Sequence, residues 1–181
     1  KGEAVIVTDV GQNQMVTARY YRFSEPNTLV TSGGLGTMGF GLPAAVGARL
    51  GSDKKEVITF LGDGGFQMTI QELGTIMQYN IGVKIVILNN SYLGMVRQWQ
   101  DMFFGKRYAS TEMVNPDFVA IAAAYRIPAR KVSERGNLES SVKEMLATDG
   151  PYLLEVTIEK ETNVMPMVQP GASVSEIKLT H

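Results

Sequence analysis

Short apolar runs rich in β-branched residues alternate along this chain with helical patterns of about ten residues, and this alternation limits the fold more than any other feature. The runs are Ala4 to Thr8, Thr28 to Thr31, Val57 to Leu61, Lys84 to Leu88, Ala129 to Val132 and Tyr152 to Ile158. Helical patterns fall near Asn13 to Tyr20, Pro43 to Leu50, Ile70 to Tyr79, Gly94 to Phe103, Pro116 to Tyr125 and Leu138 to Ala147. Runs such as VITF and VKIVIL carry apolar residues on both faces, as strands do when helices cover a parallel sheet from both sides. The βαβ rhythm predicts a doubly wound α/β fold with a mainly parallel sheet. Thr69 and Glu72 have the spacing of a capping box, which predicts a helix starting at Ile70. Pro43 and Asn115-Pro116 suit the first turns of two others. The expected organisation is one domain over 1–181, with a tail over 160–181 whose MPMVQPG centre is too rich in Pro and Gly for a regular element. A start so close to a buried strand hints at a piece of a longer protein.

Composition removes several chemistries. The 181 residues carry 17 Lys+Arg against 18 Asp+Glu, scattered along the chain. No basic patch marks a nucleic-acid or anionic-membrane partner. No apolar run of about 18 residues would span a membrane and the start is not a signal peptide, so the expected location is cytoplasmic. There is no cysteine, and the one histidine is the terminal His181. Disulfides, thiolate nucleophiles and Ser-His-Asp catalysis therefore drop out. If the chain serves an enzyme, a cofactor carries the hard chemistry.

Ligands of an open parallel sheet collect beyond the carboxyl ends of its strands. There the sequence places Asp9-Val-Gly-Gln12-Asn13, SGGLGTMGFG, Gly62-Asp63-Gly64-Gly65 and Asn89-Asn90-Ser-Tyr92. Asp63 and Asn90 each follow a buried strand. One carboxylate, one amide oxygen and a loop carbonyl make half of an octahedral Mg²⁺ shell, which a diphosphate can complete. The glycines let backbone N–H groups approach the anion, and a helix starting at Ile70 would add its dipole. Read singly, these residues are ordinary turn formers. A competing reading is dinucleotide binding, because Gly34, Gly36 and Gly39 match G-x-G-x-x-G and Asp63 lies downstream. Against it, the predicted helix begins only at Pro43, Asp63 sits between glycines and not at a strand end, and Asn89-Asn90 would have no role.

Gly62-Asp63-Gly64, followed after an interval by Asn89-Asn90, resembles the thiamine-diphosphate motif. SGGLGTMGFGLPAA, GDGGFQMTIQEL, NNSYLGMVRQWQ and PMVQPG extend the likeness to the C-terminal thiamine-diphosphate domain of acetohydroxyacid (acetolactate) synthase large subunits, from about Asp9 to Gly171. The resemblance implies Mg²⁺ on Asp63, Asn90 and the Tyr92 carbonyl. It implies diphosphate on Gln12, Asn13 and backbone groups of Gly64, Gly65, Leu93 and Gly94, with Gly62 in the same turn. Asn13 stands where the family usually has His, so that contact carries no charge. Gly36 and Met38 would take the aminopyrimidine, and the Met38 side chain would hold the cofactor bent. Met95 and Trp99 would face the substrate, although an apolar helix stripe also accounts for them.

The implied reaction decarboxylates pyruvate and condenses the two-carbon unit with pyruvate or 2-oxobutyrate, in branched-chain amino acid biosynthesis. No catalytic residue is assigned to this chain. The activating glutamate is expected from the N-terminal pyrimidine-binding domain of a neighbouring subunit, and FAD from the full-length enzyme. A homodimer or tetramer and a regulatory small subunit are the implied partners. The remaining alternative is another thiamine-diphosphate 2-oxo acid decarboxylase or oxidase.

Overall fold

The structure, a computed structural model, describes residues 4–53, 56–169 and 171–179. The expectations for Lys1 to Glu3, Pro170 and His181 lie outside these residues. The six strands are β1 (Ala4–Thr8), β2 (Leu29–Val30), β3 (Glu56–Gly62), β4 (Val83–Asn89), β5 (Ala129–Val132) and β6 (Tyr152–Thr157). All pair in parallel, in the order β2-β1-β3-β4-β6-β5. The chain reverses its winding direction between β1 and β3, which is where a doubly wound sheet leaves a crevice.

The helices are α1 (Gln12–Tyr20), α2 (Gly41–Gly51), α3 (Asp63–Met68), α4 (Glu72–Tyr79), α5 (Gly94–Phe103), α6 (Phe118–Ala124) and α7 (Leu138–Ala147). Alternation along the strands divides the core between the faces of the sheet. Val83, Ile85 and Ile87 pack with Leu42 and Val46 of α2, Leu73 and Ile76 of α4, and Phe118 of α6. Val86 and Leu154 join Met145 of α7 on the other face. Phe66 meets Phe118 edge to face at 5.4 Å. Helices thus cover both faces, as the continuous apolar runs predict. Among the described residues no helix is long and apolar enough to cross a membrane.

Three local expectations change. The helix predicted from Ile70 begins at Glu72, and a separate short helix, α3, starts directly from β3 at Asp63. Thr69 caps no N–H; its Oγ1 donates instead to the Gly39 carbonyl at 3.1 Å. Glu72 N and Leu73 N instead bond Thr69 O and Ile70 O, a tightened turn between the two helices. The helix after Asn115-Pro116 begins at Phe118 and is capped by Asp117, whose Oδ1 accepts from Ala120 N at 2.9 Å. Asn115 is thereby released for another task. Residues 158–169, which lead from β6 into the tail, run beside the carboxyl edge of the sheet, where Arg19 donates to the carbonyls of Met165 and Pro166 at 2.6 and 2.8 Å.

Candidate cofactor-binding site

The carboxyl ends of β1, β3 and β4 open on a cavity of about 600 Å³. Gln12, Asn13, Gly36, Met38, Gly62, Asp63, Gly64, Gly65, Asn90, Tyr92, Leu93, Gly94 and Met95 all line it, so the cofactor residues predicted from sequence share one space. Trp99 is not among the lining residues. One turn beyond Met95, its ring packs on Phe103 with centroids 5.0 Å apart, as an apolar helix stripe would. The tail contributes Ile158, Glu159 and Thr162 to Met165 to the opposite wall.

Asp63 is 1% exposed although it borders the cavity. Its Oδ2 accepts from Asn115 Nδ2 at 2.6 Å. Burial pushes its carboxyl above the ordinary carboxylate range, even though Asn115 and the N–H groups of Asp63, Ser91 and Gly64 favour the charged form. A cation beside it would relieve that cost. Asn90 Oδ1 accepts from Tyr92 N–H at 3.1 Å, which folds the loop back on itself in an Asx turn and keeps a lone pair on that oxygen. Among the described residues no three His, Cys, Asp or Glu side chains come together. The available donors are one carboxylate with neutral oxygens, a hard set of the kind Mg²⁺ takes when phosphate oxygens complete its shell.

The glycines define the other half of the site. A Cβ on Gly64 would lie 2.6 Å from Leu93 Cδ2, and one on Gly94 would lie 2.2 Å from Gln12 Oε1 and 3.0 Å from Asn90 Nδ2. Gly64 and Gly65 occupy the first turn of α3, where backbone N–H groups have no partner within the helix. This cradle of amides beside a hard-oxygen set fits a metal-bound diphosphate. The side-chain amides fit it less directly. Gln12 Nε2 donates to Gln98 Oε1 at 3.0 Å and to Thr162 O at 3.2 Å. Asn13 Nδ2 donates to Val10 O at 3.1 Å, leaving its buried Oδ1 without a partner. Holding an anion requires Gln12 to exchange a partner, whereas the Asn13 NH₂ has a second proton to offer.

Asp9 weighs on the dinucleotide reading. It is fully buried, and its Oδ1 accepts the Gly41 N–H at 3.0 Å, at the start of α2. The helix that follows the G-x-G-x-x-G stretch therefore presents its N-terminus to the chain's own carboxylate. Two of the sequence arguments against a dinucleotide fall: α2 opens at Gly41, close behind Gly39, and Asp63 lies directly at the end of β3. The occupied helix start replaces them with a stronger one, because an incoming pyrophosphate would meet a buried carboxylate there.

The chain matches the family model described as thiamine pyrophosphate enzyme, C-terminal TPP binding domain, over residues 9–156. It belongs to this family. The TPP-binding domain is 48% identical over 176 residues to the acetolactate synthase isozyme 2 large subunit of Escherichia coli, covering 97% of this chain and 32% of that protein. To the mitochondrial acetolactate synthase of Schizosaccharomyces pombe it is 48% identical over 179 residues, covering 99% of this chain and 27% of that protein. To acetolactate synthase 1, chloroplastic, of Oryza sativa subsp. japonica it is 43% identical over 187 residues, covering 99% and 29%. The chain thus spans about a quarter to a third of the length of the curated relatives it matches.

Residues to which the sequence reading gave no role in the site complete it. Asn115 reaches Asp63 from a later loop. Gln98, fully buried, accepts from Gln12 and from Val164 N–H at 2.9 Å and returns a hydrogen bond to Val164 O. Arg97 lies between the rings of Tyr92 and Tyr108, at 4.9 and 4.3 Å, and pairs with Glu161 of the tail at 2.9 Å. α1 and α5, which border the cavity, bury Asn13 and Thr17 and Arg97 and Gln98 respectively. Buried polar residues on two helices beside glycine loops are the one signal by which the sequence marks this wall, and apolar periodicity does not register it.

Proposed function

We propose that this domain is the Mg²⁺- and thiamine-diphosphate-binding part of an acetolactate synthase. The observation that carries the reading is that Gly62 to Gly65, with the buried Asp63 carboxylate among them, and Asn90 to Gly94 line one cavity side by side. Asp63, Asn90 Oδ1 and the Tyr92 carbonyl would hold Mg²⁺. The N–H groups of Gly64, Gly65, Leu93 and Gly94 would hold the diphosphate with Gln12 and Asn13, and Gly36 and Met38 would flank the aminopyrimidine. When bound, thiamine diphosphate supplies the carbon nucleophile and electron sink for decarboxylating a 2-oxo acid. The chain's own residues bind and orient that cofactor, and the tail keeps water from one side of it. Met95 borders the space for the second 2-oxo acid, pyruvate or 2-oxobutyrate. Trp99, one turn further along α5, would face the same substrate.

The glutamate that activates the cofactor would come from the N-terminal pyrimidine-binding domain of a neighbouring subunit in a homodimer or tetramer. FAD and a regulatory small subunit belong to the complete, cytoplasmic enzyme, and this domain alone would be inactive. Thermal unfolding of the protein as its gene encodes it tests the binding reading. A native-state ligand raises Tm by mass action. The expected result is a rise with thiamine diphosphate plus Mg²⁺ that EDTA abolishes and NAD does not reproduce. A rise with NAD, or no metal-dependent rise, would refute it. Formation of acetolactate from pyruvate separates this activity from that of a 2-oxo acid decarboxylase or oxidase.

A further inference from the structure

We propose that Asn115 is the positioning residue for the Asp63 carboxylate, and that Glu155, acting through Asn89, dictates which way the Asn115 amide points. The inference rests on the proposed cation role of Asp63 and adds to it the groups that orient this carboxylate.

The chain of hydrogen bonds begins on β6. Glu155 is 2% exposed, and its Oε1 accepts from Lys131 Nζ and from Asn89 Nδ2, both at 2.8 Å. An ionised carboxylate only accepts hydrogen bonds, so Asn89 must turn its NH₂ toward Glu155 and its oxygen the other way. That oxygen, Oδ1, accepts from Ser91 N–H at 3.1 Å and from Asn115 Nδ2 at 3.0 Å. The second proton of the same Asn115 NH₂ goes to Asp63 Oδ2 at 2.6 Å. Asn115 Oδ1 in turn accepts from Gln67 Nε2 at 2.9 Å. Reversing the Asn115 amide would set its oxygen against two acceptors at once, Asp63 Oδ2 and Asn89 Oδ1. A carboxylate at each end of the chain of amides therefore leaves one arrangement.

The consequence for Asp63 is geometric. With Oδ2 tied to Asn115, the plane of the carboxylate bordering the cavity is held. The segment that delivers Asn115 also braces the other arm of the site: Leu93 N donates to Thr111 O and Met113 N to Ser91 O, each at 2.8 Å, and Tyr92 bridges Glu112. One stretch, 111–115, thus ties the Tyr92 loop to the Asp63 carboxylate. Mg²⁺ demands near-ideal octahedral geometry, whereas Ca²⁺ accepts irregular shells. Losing the brace should therefore penalise Mg²⁺ more than Ca²⁺, a difference that general destabilisation would not produce.

The test is calorimetric binding of thiamine diphosphate as a function of Mg²⁺ or Ca²⁺, in the protein as its gene encodes it. Losing an outer partner of a metal ligand typically costs about 10- to 100-fold in metal affinity. Asn115→Ala is expected to raise the Mg²⁺ concentration for half-saturation at least about tenfold and the Ca²⁺ concentration less than about threefold. Cofactor affinity at saturating Mg²⁺ should stay within about twofold. Glu155→Gln lets Asn89 turn over and should move Mg²⁺ in the same direction by less; it also serves if Asn115→Ala fails to fold. Wild-type Mg²⁺ dependence in the folded variants, or equal losses for both cations, would overturn the inference while Asp63→Ala still abolishes cation dependence. If Asp63→Ala keeps that dependence, the cation site itself is wrong and the inference falls with it.

Discussion

The two edges of the sheet, at the amino and the carboxyl ends of its strands, treat buried polar groups differently. At the amino end Lys84 is 2% exposed, and its Nζ donates to Thr148 O at 2.6 Å and Gly150 O at 2.7 Å. Burial lowers its pKa, while Glu56 and Asp149 partly restore it. Around the carboxyl end, Asp9 Oδ2 and Asn13 Oδ1 are buried without partners, and burial raises the carboxyls of Asp9 and Asp63. A buried unsatisfied polar group costs on the order of 1–3 kcal/mol. At the amino end the buried charge is satisfied; at the carboxyl end Glu155 is satisfied too, while Asn13 Oδ1, on a residue that lines the cavity, and Asp9 Oδ2 are left without partners.

The strongest way to break the comparison is Gly65→Ala. Its Cβ would lie 1.7 Å from Asp9 Oδ2, so Asp9 or α3 must move. We expect a loss of about 3 kcal/mol or more in urea unfolding, since overpacking of a closed site is destabilising, together with loss of cation-dependent cofactor binding. Wild-type stability would mean that the cradle is open. Lys84→Met comes next. It strands two carbonyls and should cost about 2 kcal/mol with cofactor affinity unchanged. Weakened binding at unchanged stability would abolish the division between the two ends.

Asp63→Asn should move stability the other way. Removing a buried charge that has no cation beside it should stabilise the ligand-free protein by about 1 kcal/mol at neutral pH, while ending Mg²⁺ dependence. The pH response sharpens the contrast. Between 3.8 and their raised folded values, Asp9 and Asp63 bind more protons in the folded protein than in the unfolded chain, so stability falls as pH rises through that window. Between its lowered folded value and 10.5, Lys84 binds more protons when unfolded, so stability rises with pH there. Chemical denaturation across pH should show the acid-side slope shrink in Asp63→Asn and the alkaline one in Lys84→Met. The smallest effect is expected for Gly47→Ala, within α2, where a Cβ meets nothing within 4 Å. It should stabilise by about 0.5–1 kcal/mol, by reducing the freedom of the unfolded chain, without touching binding.

Sequence by itself determined the strand positions, the helix-covered parallel class and the loops that line the cavity. Those signals are local: β-branched runs, a period of 3.6, and glycines where a backbone must come close to something. It misread Thr69, whose hydroxyl is taken by the carbonyl of Gly39, a residue thirty positions away in sequence. The resemblance turned both Met95 and Trp99 toward the substrate; Met95 lines the cavity, and Trp99, one turn on, packs against Phe103. Sequence alone reads Asn115 as a helix start, since Asn-Pro is a local signal and Asp63 is not its neighbour in sequence. Only the tertiary structure decided that β6 lies between β4 and β5, setting Glu155 beside Asn89 and, through it, behind Asn115 and Asp63. Periodicity states which face of an element is buried. The partner that a buried polar atom meets depends on strand order and loop path, which no local pattern encodes.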